Sequence, residues 1–353
     1  MDAALINTAR VRGMESQIEP VTAPQVRGRA RWAGVVCWAA VVLLVAWAGV
    51  RVGGLDYGPL VQLLAFTPYV AAGAFGVAVV ALLLRRRAAG IVALLAGAVL
   101  VSLVAPRAIP DSDRGEGGGP RIRVLTVNVL GGAADPAEII ALVDAQDVDV
   151  LALQEHTPLL DAALTAGGIG GRLPYQQTNP EEGTSGSGIY SRHPLRDGGT
   201  HRYPSPSSVA PYLGHSASYA TVAVPGAQPL LAESVHPMAP WSPLVSDDWR
   251  TDLTALTPAT PDGPVRMLLG DFNATLDHSP LLGLLATGYR DAAAVDGSGL
   301  TGTWGPYAGA IVPPVTLDHV LVDHRVRVES VEVFGVGGSD HRAVLAVLTL
   351  PAL

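Results

Sequence analysis

Apolar and polar positions divide the chain into two unlike parts. From Trp32 to Val50 the stretch WAGVVCWAAVVLLVAWAGV carries no charge and lies between Arg31 and Arg51. A second apolar run covers Leu60 to Leu84 and stops at Arg85, Arg86 and Arg87, and a third covers Ala88 to Ala105. A helix needs roughly 20 apolar residues to cross a bilayer, so the pattern predicts three transmembrane helices within 31–105. Beyond residue 120 the apolar runs shorten to strand length, as in RIRVLTVNV, VDVLALQE, GSGIYSR, TVAVP and LLAESVH. VRMLLGDF, LDHVLVD, VRVESVEVF and RAVLAVLTL continue the series, with Gly, Pro and Ser in the loops between. Helices are expected at 136–145 and 245–257. Many strands with few helices predict two sheets packed face to face in one domain, 121–353. Between the two parts, PRAIPDSDRGEGGGP (106–120) reads as a flexible linker.

Composition agrees with a membrane part: 49% of the 353 residues are hydrophobic and only 15% are charged. Residues 1–30 are polar and hold Arg10, Arg12, Arg27 and Arg29, which mark a cytoplasmic N-terminal segment; no apolar stretch begins early enough for a cleaved signal peptide. Arg85 to Arg87 lie on the same side if the spans alternate. Three crossings then place the domain after Ala105 outside the cell membrane. The formal net charge is −8, and the chain contains no lysine. With no basic track, no specific nucleic acid is expected as a partner. Cys37 is the single cysteine, so the domain has no internal disulfide. Nothing in the sequence indicates an oligomer.

The candidate chemistry sits at the ends of the strand-like runs. LLGDFNATLDHSP (268–280) enters as a buried strand and leaves as a loop, and alternation would aim Asp271 and Asn273 at one face. Asn128 closes RVLTVN, Glu155 closes VLALQE, and His236 closes LAESVH. Asp318 lies in TLDHVLV, and Asp340 and His341 open GSDHRAVLAVL. A carboxylate at the end of a buried strand is costly without a cation or hydrogen-bond partners, so the recurrence points to a shared site. His156, His278, His319 and His324 carry no motif role and read as structural. Trp304 in GTWGP either closes a core edge or lines the rim of the site.

TVN, QE, the strand-end His, GDFN, LDH and SDH appear in an order that resembles the endonuclease/exonuclease/phosphatase superfamily. Its members include pancreatic deoxyribonuclease, neutral sphingomyelinases and inositol polyphosphate phosphatases. The resemblance implies a four-layer α/β sandwich over 121–353, preceded here by the transmembrane helices. It also implies a metal held by Glu155 with Asn128 and Asp340. Oxygen donors and phosphate chemistry favour Mg²⁺, with Mn²⁺ as a substitute. His341 would handle a proton or touch the phosphate, with Asp318 fixing its tautomer. Asp271 would orient or deprotonate water, and Asn273 and His236 would donate to phosphate oxygens. His319 replaces the aromatic residue often found after the family's Asp, which puts the contacts of Asp318 in doubt.

The membrane layout, with VHPMAPW and GDFNATLDHSPL, resembles the subgroup that includes VanJ-type teicoplanin-resistance proteins. That resemblance implies hydrolysis of a membrane-lipid or lipid-linked phosphate, such as undecaprenyl pyrophosphate. An extracellular nuclease, a sphingomyelinase-like phosphodiesterase and a non-catalytic binder of an antibiotic or wall precursor are the alternatives.

Overall fold

The computed structural model describes residues 24–204, 214–305 and 312–353, with side chains from 31 onward. Four helices precede the sheets: α1 (Pro24–Val52), α2 (Pro59–Leu64), α3 (Thr67–Leu83) and α4 (Arg87–Val104). Two segments, Arg31–Val52 and Arg87–Ala108, are long and apolar enough to cross a membrane. The second apolar run, expected as one continuous span, is instead two helices, and α3 has 17 residues. The cause is local. Pro68 has no N–H to give the carbonyl of Leu64, so the ladder breaks there, and the Thr67 hydroxyl donates to that carbonyl instead at 2.6 Å. Trp47 Nε1 of α1 in turn donates to Thr67 Oγ1, tying the break to its neighbour.

The rest of the chain holds β1 (Gly118–Asn128), α5 (Pro136–Ala145), β2 (Val150–Gln154), α6 (Pro158–Ala166), β3 (Tyr175–Asn179) and β4 (Ser187–Ser191). There follow β5 (Leu195–Arg202), β6 (Ser216–Val222), β7 (Leu230–Val235), α7 (Ser246–Ala255), β8 (Val265–Asp271) and α8 (Ser279–Leu285). The last elements are β9 (Tyr289–Asp291), α9 (Ala292–Asp296), β10 (Asp318–Asp323), β11 (Arg327–Gly335) and β12 (Arg342–Pro351). One mixed sheet runs β11-β12-β1-β2-β4-β3 and the other β5-β6-β7-β8-β10-β9. Val124, Ala152 and Ile189 of the first meet Ala232, Met267, Leu269 and Val320 of the second in a buried apolar interface. Leu125, Leu151 and Leu153 turn the other way, onto Ile139, Val143 and Leu160 of α5 and α6. Val235, Leu268 and Leu321 pack on Trp249, Leu253 and Leu281 of α7 and α8. Period-two alternation thus gives each sheet two apolar faces, and the layers stack helix, sheet, sheet, helix.

β1 and β2 run parallel, as do β7 and β8, while β10 and β12 run antiparallel to their neighbours. The C-terminal ends of four central strands and the N-terminal ends of two others therefore lie along one edge of the sandwich.

Segment 106–120, read as a flexible linker, is held to the domain along its length. Arg107 pairs with buried Asp277, Asp111 N–H donates to Val295 O, and Arg114 O accepts from Val328 N–H. Its last residues already belong to β1. The segment 1–23 and its arginines lie outside the described residues.

Candidate active site

At that edge, Asn128 ends β1 and is fully buried. Its amide Nδ2 donates to Glu155 Oε1 at 3.2 Å and to Asp271 Oδ2 at 3.0 Å, while its oxygen accepts from Leu130 N–H. Asn128 thus acts as a strut between the two sheets. Glu155 leaves β2 with a positive φ of 59°, a strained conformation that swings its carboxylate onto Gly131 N–H at 2.6 Å. Burial raises its pKa, and the bonds from Asn128 and Gly131 offset that only in part.

Asp271 ends β8 almost without exposure. Its Oδ1 accepts from Asn273 N–H at 2.8 Å, and burial raises its pKa although His341 and His236 lie close. The sequence pattern put Asp271 and Asn273 on one face by strand alternation. The strand in fact stops at Asp271, and Asn273 adopts a left-handed φ of 49°, so an Asx turn brings the pair together. Asn273 Nδ2 donates to Pro237 O at 3.1 Å. Gly270 before them is required: at its φ of 152° a Cβ would stand 2.0 Å from Val235 O.

His341 Nδ1 lies 2.8 Å from Asp318 Oδ2, and His341 Nε2 lies 3.6 Å from Asp271 Oδ2. Burial works against charge on this ring, but the carboxylates of Asp318, Asp271 and Asp340 outweigh it and push the pKa up to about 10. Asp318 and Asp271 face each other directly across the β8–β10 pair, which is why one imidazole reaches both. The substitution at His319 does not disturb Asp318. Its ring turns away, with Nδ1 against Asp291 Oδ2 at 2.7 Å and Nε2 against Ala274 O at 2.9 Å.

His236, just beyond β7, places Nε2 3.7 Å from both Glu155 Oε1 and Asp271 Oδ2. Its ring stacks on His215 at 4.2 Å and 3°. Sequence reading passed over His215, whose pKa burial lowers to about 3, so a neutral ring backs His236. His215 Nδ1 bonds His236 O, and its motif GHS offers no signal. Trp304 Nε1 donates to Asp340 Oδ2 at 3.2 Å, which fixes the indole beside His341. Of the histidines read as structural, His156 bonds Asp161 and Tyr190, whereas His278 bonds Val61 O and lines the same cavity as the motif residues.

Glu155, His236, Asp271, Asn273, Trp304, Asp340 and His341 line one cavity of about 430 Å³; Asn128 and Asp318 lie behind it, bonded to its walls. Asp271, Asp318 and His341 offer donor atoms within 4.8 Å of one another, close enough to share a cation. Asp318 gives its Oδ2 to the imidazole, while its Oδ1 is buried with no hydrogen-bond partner. Asp340 Oδ1 is buried with no hydrogen-bond partner, and with Glu155 it supplies the hard oxygen that a divalent ion needs. The residues present therefore fit a divalent metal.

Residues 125–341 match the family model described as Endonuclease/Exonuclease/phosphatase family. No curated protein matches the chain. Among solved structures, the endonuclease/exonuclease/phosphatase from Beutenbergia cavernae is 21% identical, with a TM-score of 0.51 over 65% of this chain and 72% of that one. A humanized D. rerio TDP2 is 18% identical, with a TM-score of 0.52 over 65% of this chain and 98% of that one. These likenesses concern the fold. With the family model covering most of the chain and its polar motifs gathered in one cavity, the protein belongs to the endonuclease/exonuclease/phosphatase family of metal-dependent phosphoester hydrolases.

Proposed function

We propose that the protein is a membrane-anchored, Mg²⁺-dependent hydrolase of a lipid phosphate or pyrophosphate, acting at the outer face of the membrane. One observation supports this reading above the others: the catalytic cavity is walled on its far side by Val61, Ala65 and Phe66 of α2 and the helix break. A phosphate at Glu155 and His341 would thus lie beside residues continuous with the apolar helices. Val35, Val42, Leu43, Val79, Leu83 and Leu95 leave those helices with a bare apolar surface, as bilayer-spanning segments have. α1, α3 and α4 serve as the three spans, with Arg85 to Arg87 on the cytoplasmic side.

In the reaction, water attacks phosphorus, and the bond from phosphorus to the leaving oxygen breaks. Asp271 orients the water and takes its proton. The His341 imidazolium, held by Asp318, donates to a phosphate oxygen, and Asn273 and His236 donate to others. A divalent ion at Glu155 and Asp340 would neutralise charge on the phosphate as the leaving oxygen departs. Undecaprenyl pyrophosphate is the specific substrate suggested by the resemblance to VanJ-type proteins, and tolerance to teicoplanin would be its physiological effect.

The test is an assay of the purified full chain with Mg²⁺, and again after EDTA, against undecaprenyl pyrophosphate, a phosphodiester lipid and DNA. Metal-dependent release of phosphate from the pyrophosphate is expected. Turnover of DNA alone would establish the nuclease alternative, and turnover of none would leave a binding protein.

A further inference from the structure

The loop that carries Asp271 and Asn273 continues directly into a set of tethers to the membrane segment. Asp277 is fully buried and accepts from Arg51 Nε at the end of α1 at 2.7 Å. It also accepts from Arg107 Nη1 and Nη2, just past α4, both at 2.7 Å. Both guanidiniums also donate to Leu276 O. At the next position, His278 Nδ1 accepts from Thr275 N–H at 2.9 Å, which leaves the proton on Nε2 to donate to Val61 O at 2.7 Å. Ser279 follows, with N–H and Oγ on the two oxygens of Asp56, each at 2.7 Å. From the other side of the cavity, Gln62 Nε2 donates to Pro240 O at 2.6 Å.

A passive anchor on a linker needs no buried ion pairs, which carry a desolvation cost and give register in return. Here the register they impose concerns residues 61–66. Val61 is buried, Phe66 is half-buried, and both line the catalytic cavity together with Trp241, which is 63% exposed.

We infer that the α2–α3 junction is the specificity-determining half of the active site, its Phe66 side chain taking the apolar chain of the substrate next to the phosphate. Asp277 and His278 act as positioning residues that hold this wall against the catalytic loop. The inference rests on the phosphohydrolase reading and adds a discriminating element to it.

The test compares full-length protein in lipid nanodiscs on farnesyl and isopentenyl pyrophosphate, which share a head group and differ in chain length. Phe66→Ala is expected to lower kcat/KM for farnesyl pyrophosphate about tenfold or more, and for isopentenyl pyrophosphate by less than about threefold. Phe66→Leu should restore most of the chain-length preference. Asp277→Asn should raise KM for the farnesyl compound with a smaller effect on kcat. Equal losses on both substrates, or no loss on either, would overturn the wall assignment while leaving the hydrolase intact. Wild type inert on both, with Glu155→Ala indistinguishable from it, would overturn the hydrolase reading and this inference together.

Discussion

His341 is the residue whose surroundings set its chemistry most completely. Its folded pKa of about 10 lies above the ordinary histidine value, so the dyad's contribution to stability is complete below about pH 6.5 and is lost as pH rises through about 10. Asp318→Asn removes a neighbouring carboxylate. The alkaline limb of the pH–rate profile should move to lower pH, and kcat should fall on the order of 10²-fold with the fold retained. Circular dichroism on the same sample separates the two effects; an unmoved limb would show that Asp318 does not govern the ring. Asp252 shifts in the same direction for a different cause. Burial raises its pKa to about 7, so the unfolded chain ionises first and stability drains away between about pH 4 and pH 7. Asp252→Asn keeps an oxygen to accept from Met238 N–H. It should therefore stabilise by about 1 kcal/mol at pH 8 and by less at pH 4, as read from paired urea melts. The identities of the polar residues were legible because costly side chains recur at strand ends. His215 was not, because its value lies in a ring stacked from the segment before β6 onto His236 beyond β7.

At the scale of elements, β1, β2, β7, β8, β10 and β12 match the apolar runs seen in the sequence, as central strands buried on both faces should, and the edge strand β11 matches VRVESVEVF. β5 was missed because LRDGGTHR is a polar edge strand, and β9 because it has three residues. The second apolar run misled in the other direction: periodicity and hydropathy ignore one missing N–H at Pro68, which divides the helix. The elements meet at Asp277, where one carboxylate serves two arginines from different helices. Asp277→Asn leaves both guanidiniums buried against a neutral amide and should cost about 3–5 kcal/mol. Denaturant unfolding in detergent measures this; a change under about 1 kcal/mol would show that the pairs are solvated.

For the whole molecule, the decisive feature is that the sandwich sits on the helices rather than hanging from them. An alkaline phosphatase reporter joined after Leu353 is expected to be active and a fluorescent protein at the same place dark; the reverse pattern would invert the topology. The sequence by itself determined the reaction class, the two-sheet domain and the apolar helices, because these depend on which residues are present and on patterns a few residues long. Only the tertiary structure decided that the linker is docked, that Asp271 and Asn273 meet through a turn, and that α2 walls the cavity. Arg51 and Asp277 lie 226 positions apart, and His278 and Val61 217. No local periodicity records contacts across such distances; they exist only once strand ends and helix ends are brought to the same edge.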